Sequence, residues 1–218
     1  MILSKIRQAK KRRNLITYTN PDSVVSDQFR TIRTNMKFLT DNRNSHNFLL
    51  TSPNNQEGTS TTGANLAVSM AFLRDKILLI DANLRSPYQH VIFKTDNEIG
   101  LNNIIAGQTT FKQAVYKTGI GNLDLLTSGS SMMNPTEVIS DEKMVELLKE
   151  VSSTYDIVLV DSPSVLQSTE TRVLAHHCDG VVLIINKGKT DLQKAAEAKS
   201  ILDLAHADIV GAILNDRK

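Results

Sequence analysis

The chain has 218 residues, 40% of them hydrophobic and 22% charged, with a formal net charge of +2. That suits one globular domain, or one domain with a tail, and no run approaches the roughly 20 apolar residues of a membrane span. A single cysteine, Cys178, excludes an internal disulfide framework and fits a reducing cytoplasm, and no secretory signal is read at the N-terminus.

The charge is unevenly spread. Lys5, Arg7, Lys10, Lys11, Arg12 and Arg13 stand among the first 14 residues with no acid, so the remaining 19 basic and 23 acidic groups leave a net of −4. Residues 1–22 are read as a basic, flexible N-terminal arm and residues 23–218 as the folded domain. The arm suits contact with anionic lipid or another anionic partner, and equally a solvated, disordered existence.

Beyond the arm, short apolar runs of strand type occur at 48–50, 77–80, 123–126, 157–160, 181–185 and 209–214. Helical patterns lie between them at 60–74, 142–152, 170–177 and 190–206, with smaller pieces near 101–117. Strands separated by helix-length crossovers argue for a parallel sheet covered on both faces, and the runs are apolar throughout, as doubly buried strands require. The fold class is therefore α/β, a doubly wound parallel sheet flanked by helices in a single domain of P-loop type.

In such folds ligands sit beyond the carboxyl ends of the strands. The first of these ends is the stretch from Thr51 to Thr62, where an apolar run feeds a polar turn and Gly58-Thr59-Ser60 opens a helix. This geometry presents backbone N–H groups and the positive end of a helix to a phosphate. The standard loop, GxxxxGK followed by Ser or Thr, places a lysine directly after the last glycine. Here that position is Thr59. Two further strand ends carry carboxylates, Asp81 in Ile80-Asp81-Ala82-Asn83-Leu84-Arg85 and Asp161 in Val160-Asp161-Ser162-Pro163. Aspartates so placed hold Mg²⁺ and orient a nucleophile, and Ser60 offers a hydroxyl to the same ion.

These motifs resemble those of the cytoplasmic bacterial tyrosine kinases of capsule and exopolysaccharide systems, the CapB/CpsD type. That family carries a loop TSxxPGEGKS, a second motif DxDxR and a third motif DxPP. The chain matches them at Thr51-Ser52, Glu57-Gly58, Ser60-Thr61-Thr62 and Asn65-Leu66-Ala67, at Asp81, Arg85 and Pro87, and at Asp161-Ser162-Pro163. The segment Gln28 to Asn35 resembles the family's ExxRxxRTN helix, and Asn134 to Ile139 its NPSELI element. The resemblance runs from about residue 23 to 216. It implies ATP and Mg²⁺ as cofactors, with Asp81, Asn83, Arg85 and Asp161 in catalytic places. It also implies nucleotide contacts from Glu57, Gly58, Thr59, Ser60, Thr61 and Asn215, and metal ligation by Ser60, Asp81 and Asp161. Implied partners are a membrane-anchored adaptor of the polysaccharide chain-length-regulator type, protein substrates, and a homo-oligomeric ring formed through the 27–35 helix, with no nucleic acid. The implied location is cytoplasmic, peripheral at the inner face of the cell membrane.

The departures from the family pattern fall on chemistry. Thr59 replaces the phosphate lysine, Gln56 a loop glycine, Asn83 the second aspartate of DxDxR, and Ser164 the last proline of DxPP. No Lys or Arg stands between residues 44 and 73. Asparagine keeps the size and hydrogen bonding of aspartate but does not accept a substrate proton as a carboxylate does. The tyrosine-rich tail of the family does not occur in these 218 residues, whose tyrosines are Tyr18, Tyr88, Tyr116 and Tyr155. The expected function is thus a protein-tyrosine kinase of polysaccharide biosynthesis with impaired activity; a non-catalytic nucleotide-binding scaffold of the same system is the alternative. A ParA/MinD-like ATPase shares the fold, but the lysine such proteins carry early in the loop is absent from residues 53–58.

Other conspicuous residues have ordinary readings. His176-His177-Cys178-Asp179 resembles a metal cluster on paper, but adjacent helical residues point about 100° apart and suit no single ion well. Asn186-Lys187-Gly188-Lys189 follows a strand end, and its lysines read either as turn residues or as neighbours of the nucleotide.

Overall fold

The computed structural model describes residues 15–40, 46–130, 134–140 and 142–216. In chain order the elements are α1 (Ile16–Thr19), α2 (Val24–Thr40), β1 (His46–Thr51), α3 (Thr59–Ala71), β2 (Ile77–Asp81), α4 (Gln89–Phe93), α5 (Leu101–Ile105) and α6 (Phe111–Ala114). They continue with β3 (Tyr116–Ile120), β4 (Leu123–Leu126), α7 (Pro135–Ser140), α8 (Glu142–Ser152), β5 (Ile157–Asp161), α9 (Thr169–His177), β6 (Gly180–Asn186), α10 (Leu192–Leu204) and β7 (Ile209–Asn215). The seven strands lie in the order β3-β4-β2-β5-β1-β6-β7, and every pairing is parallel except that of β3 with β4.

The apolar runs work as doubly buried strands because alternate residues feed two separate cores. Leu49, Leu78, Ile80, Val158 and Val160 pack on one face of the sheet. Leu50, Ile77, Leu79, Ile157 and Leu159 pack on the other. Side chains that alternate across a pleated strand leave no polar face to place, so every position is apolar. Leu159 is fully buried in the central β5, where its loss leaves a cavity with helices above and strands on both sides. Leu159→Ala is expected to cost about 2–5 kcal/mol, read as a shift of the urea midpoint at unchanged slope.

The helices divide by the same reasoning. α8 buries Met144, Leu147, Leu148 and Val151, a stripe at spacings of three and four. In α3 every residue from Thr62 to Ala71 is buried, so the body of this helix is held by surroundings on all sides rather than by propensity alone.

Three expectations change in detail. Residues 116–120 continue the predicted helical region as strand β3, antiparallel at the sheet edge, with Tyr116, Lys117 and Gly119 exposed. The helix-like segment at 28–35 belongs to a longer helix, α2, whose Arg33 is turned inward and donates to Ser69 O at 2.7 Å, while Arg30 bonds Asp27 and Pro21 O. Residues 15–22, expected within the arm, include a helix packed on the domain. Leu15 is fully buried, and Thr17 donates through both its N–H and its hydroxyl to Asn65 Oδ1, at 3.1 and 3.0 Å. The basic cluster at residues 5–13 lies outside the described residues. Among those described, no helix is long and apolar enough to cross a membrane.

Candidate functional site

β1 and its neighbour β5 end side by side, and β2 lies on the far side of β5, so three strand ends meet at one edge of the sheet. The register pairs Asp81 with Asp161 and Leu50 with Asp161. The two carboxylates predicted from separate motifs are therefore direct neighbours, set beneath the loop that leaves β1. Both are fully buried.

The loop from Ser52 to Gly58 is held by its own polar side chains. Glu57 is buried, and its Oε1 accepts from Asn54 Nδ2 at 3.1 Å and from Thr190 Oγ1 at 2.7 Å. Asn215, at the end of β7, donates through Nδ2 to Glu57 O at 2.8 Å. Gly58 has φ +92, a left-handed conformation that side chains rarely adopt, and a Cβ there would lie 2.4 Å from Asn215 Nδ2. A glycine is required at this position for both reasons. From it α3 begins, its first N–H groups unpaired within the helix. Thr59 turns its hydroxyl back to Ser52 Oγ at 3.0 Å, and Ser52 in turn donates to Asn54 O. The side chain in the lysine position thus braces the loop from inside.

The carboxylate pair is asymmetric. Asp81 Oδ2 accepts the backbone N–H groups of Tyr88 and Gln89, both at 2.9 Å, and Oδ1 accepts from Asn83 N at 3.2 Å. Asp161 Oδ2 accepts Gln89 Nε2 at 2.7 Å, while Asp161 Oδ1 is buried without a hydrogen-bond partner. Burial, and for Asp81 the charge of Asp161, push both carboxyls above the ordinary carboxylate range; the Ser60 hydroxyl and Gln89 partly offset this for Asp161. An unpartnered, dehydrated carboxylate oxygen beside a second carboxylate and a serine hydroxyl is a donor set that a hard divalent cation fits.

Two of the residues expected here point elsewhere. Asn83 closes a local turn, its Oδ1 accepting from Ser86 N at 3.2 Å. Arg85 is committed to α9: its Nε donates to Glu170 Oε1 at 3.0 Å, and the buried Glu170 is held in turn by Ser168 and Thr136. Thr61 gives its carbonyl to Asn65 Nδ2 at 2.9 Å. The His176–Asp179 stretch caps α9 at the opposite edge of the sheet, where Asp179 accepts from Asn47 N and His176 meets Ala205 O. Cys178 is pushed up to about 12, chiefly by burial, which keeps it a thiol.

Sequence reasoning missed Gln89 and Thr190 and left Lys189 open. Gln89 is fully buried and bridges Ser60 O and Asp161 Oδ2 through one amide nitrogen. Lys189 reaches the loop from the β6–α10 turn, donating to Asn55 O at 3.2 Å and Gln56 O at 3.1 Å. Neither residue stands in a motif; only the fold brings them to the loop.

Over all 218 residues the chain is 41% identical to the tyrosine-protein kinase YwqD of Bacillus subtilis, covering 92% of that protein. The chain belongs to the bacterial tyrosine-protein kinase family. A family model described as an AAA domain matches residues 54–204. Among solved structures, the chimerical protein CapA2B2 superposes with a TM-score of 0.88 at 31% identity, over 93% of this chain and 89% of that one. The kinase domain of the Escherichia coli tyrosine kinase Etk superposes with a TM-score of 0.89 at 28% identity, over 92% and 79% respectively. The superpositions place this chain in the same fold as those kinase structures.

Proposed function

We propose that this tyrosine-kinase family member binds Mg²⁺ and ATP at the junction of β1, β2 and β5, and transfers the γ-phosphoryl group to protein tyrosine with impaired efficiency. The observation that carries the reading is Asp161, fully buried, with an unpartnered Oδ1 next to Asp81 and Ser60 at the mouth of a glycine-initiated helix. Asp161 and Ser60 would hold the cation directly and Asp81 would complete its surroundings. Once bound, Mg²⁺ would draw charge from the phosphate oxygens.

The rest is done by the chain itself. Gly58, Thr59, Ser60 and Thr61 offer N–H groups from the first turn of α3, and Glu57 with Asn215 keeps that turn in shape. The impairment follows from two changed side chains. Thr59 has no positive charge and spends its hydroxyl on Ser52. Asn83 has no carboxylate with which to take the tyrosine proton, and its amide oxygen is engaged by Ser86 N. Arg85, paired with Glu170, serves to fix the β2–α4 segment against α9 in the resting state.

By resemblance, the wider setting we propose is capsular or exopolysaccharide biosynthesis, at the inner face of the membrane, with a chain-length-regulator adaptor as partner. α2 is the proposed ring contact, and its exposed Val24 and Phe38 are available to a neighbouring subunit. The second reading, a nucleotide-binding scaffold without transfer, is favoured by the two changed side chains. Calorimetry with Mg·ATP, combined with phosphotransfer to a tyrosine-containing partner with and without the adaptor segment, separates these readings. Binding with slow transfer is expected. Robust turnover by the unmodified protein would overturn the impairment, binding with no transfer would leave the scaffold, and absence of binding would remove both.

A further inference from the structure

Lys189 stands 134 and 133 residues from the carbonyls of Asn55 and Gln56, yet the fold sets its cation on the phosphate loop. Its turn is not loosely placed. Thr190 Oγ1 donates to Glu57 Oε1 and accepts from Asn186 N at 3.0 Å, so the 186–190 turn is latched to the loop one residue away from the lysine. Gly188, at φ +81, provides the reversal that brings Lys189 back toward the loop. The contacts use two of the three N–H groups of the ammonium and leave a third.

The electrostatic setting gives this placement its meaning. The loop and its floor hold Glu57, Asp81 and Asp161, all buried, and residues 44–73 contain no Lys or Arg. A polyphosphate entering here meets acids and backbone dipoles but no cation from the loop itself. We infer that Lys189 supplies, from a separate turn, the positive charge that the loop lacks at Thr59, leaving the carbonyls of Asn55 and Gln56 to pair with a phosphate oxygen of the bound nucleotide. The inference rests on the nucleotide-binding reading above and assigns it a residue from a different strand end. A point charge on a flexible four-carbon stem is suited to that exchange, since it can trade two neutral acceptors for an anionic one.

The test titrates the full chain with adenosine, Mg·ADP and Mg·ATP, in the unmodified protein and in Lys189→Ala, Lys189→Arg, Thr59→Lys and the Thr59→Lys/Lys189→Ala double variant. Lys189 is exposed, so the variants are expected to melt at the temperature of the parent. The loss in Lys189→Ala should be negligible for adenosine and reach about 10- to 150-fold for ATP, the worth of one charge-assisted hydrogen bond. Arginine should retain most of the affinity, and in the Thr59→Lys background the Lys189→Ala change should be nearly silent. Equal losses for adenosine and ATP would reduce Lys189 to a prop for the loop and overturn the inference. So would ATP binding by Lys189→Ala as tight as by the parent, with the nucleotide reading intact. No ATP binding by the parent would overturn both.

Discussion

Thr59→Lys is expected to tighten Mg·ATP binding measurably and to raise phosphotransfer by about 10²–10³-fold, the scale of one well-placed charge at a developing anion. The position is prepared for it. Thr59 is the first residue of α3, half-buried beside the loop, and lysine is the better helix former of the two. The change releases Ser52 from its hydrogen bond with Thr59, a loss confined to one partly buried neutral pair. Full recovery of family-like turnover is not expected, because on the reading proposed above Asn83 offers no carboxylate to take the tyrosine proton. Thr59→Lys with Asn83→Asp should therefore exceed either change alone, and single-turnover kinetics separate the binding gain from the chemical one. Unchanged affinity in Thr59→Lys would mean that the loop does not cradle phosphate.

Asp161→Asn is the second large effect, and it runs in opposite directions with and without metal. Asp161 is the member of the pair whose replacement keeps its hydrogen bonds: an asparagine oxygen still accepts from Gln89 Nε2 and the Ser60 hydroxyl, and its nitrogen takes the place of the unpartnered Oδ1. In chelator, the variant sheds a buried charge facing Asp81 and should gain about 1–3 kcal/mol, seen as a melting temperature several degrees higher. With Mg²⁺ the parent should gain stability and the variant should not. The pH dependence follows from the same pair. A carboxyl whose pKa is raised on folding contributes stability that is fully present below the ordinary carboxylate pKa and is lost as pH rises through the raised value. Both carboxyls are raised, Asp161 to about 6 and Asp81 to about 8, so the metal-free parent should soften between about pH 4 and pH 8, and Asp161→Asn should flatten that slope. A variant no more stable than its parent in chelator would show that the pair does not carry the repulsion ascribed to it.

Much of this frame was legible in the sequence because buried parallel strands leave an unmistakable signal. Six of the seven strands announce themselves as apolar runs, and Asp81 and Asp161 stand out as acids that end such runs. What the runs do not encode is their order across the sheet, so the pairing of Asp81 with Asp161 emerges only from the register. β3 escaped because it is an edge strand with Tyr116, Lys117 and Gly119 exposed, where a strand needs only one partner and no continuous apolar run. Gln89 escaped because its role depends on a carboxylate 72 residues away, and glutamine has no diagnostic spacing of its own. Arg85 and Asn83 were placed by motif alone; their engagement with Glu170 and Ser86 is a matter of side-chain direction that composition does not carry.

Asn65 is held at both ends of its amide, by Thr17 of α1 and by the carbonyl of Thr61 within α3. The helix that opens at the phosphate loop is thereby moored to the 15–19 segment. The 15–19 segment and the helix behind the phosphate loop are thus joined by direct bonds of about 3 Å, with no side chain in between.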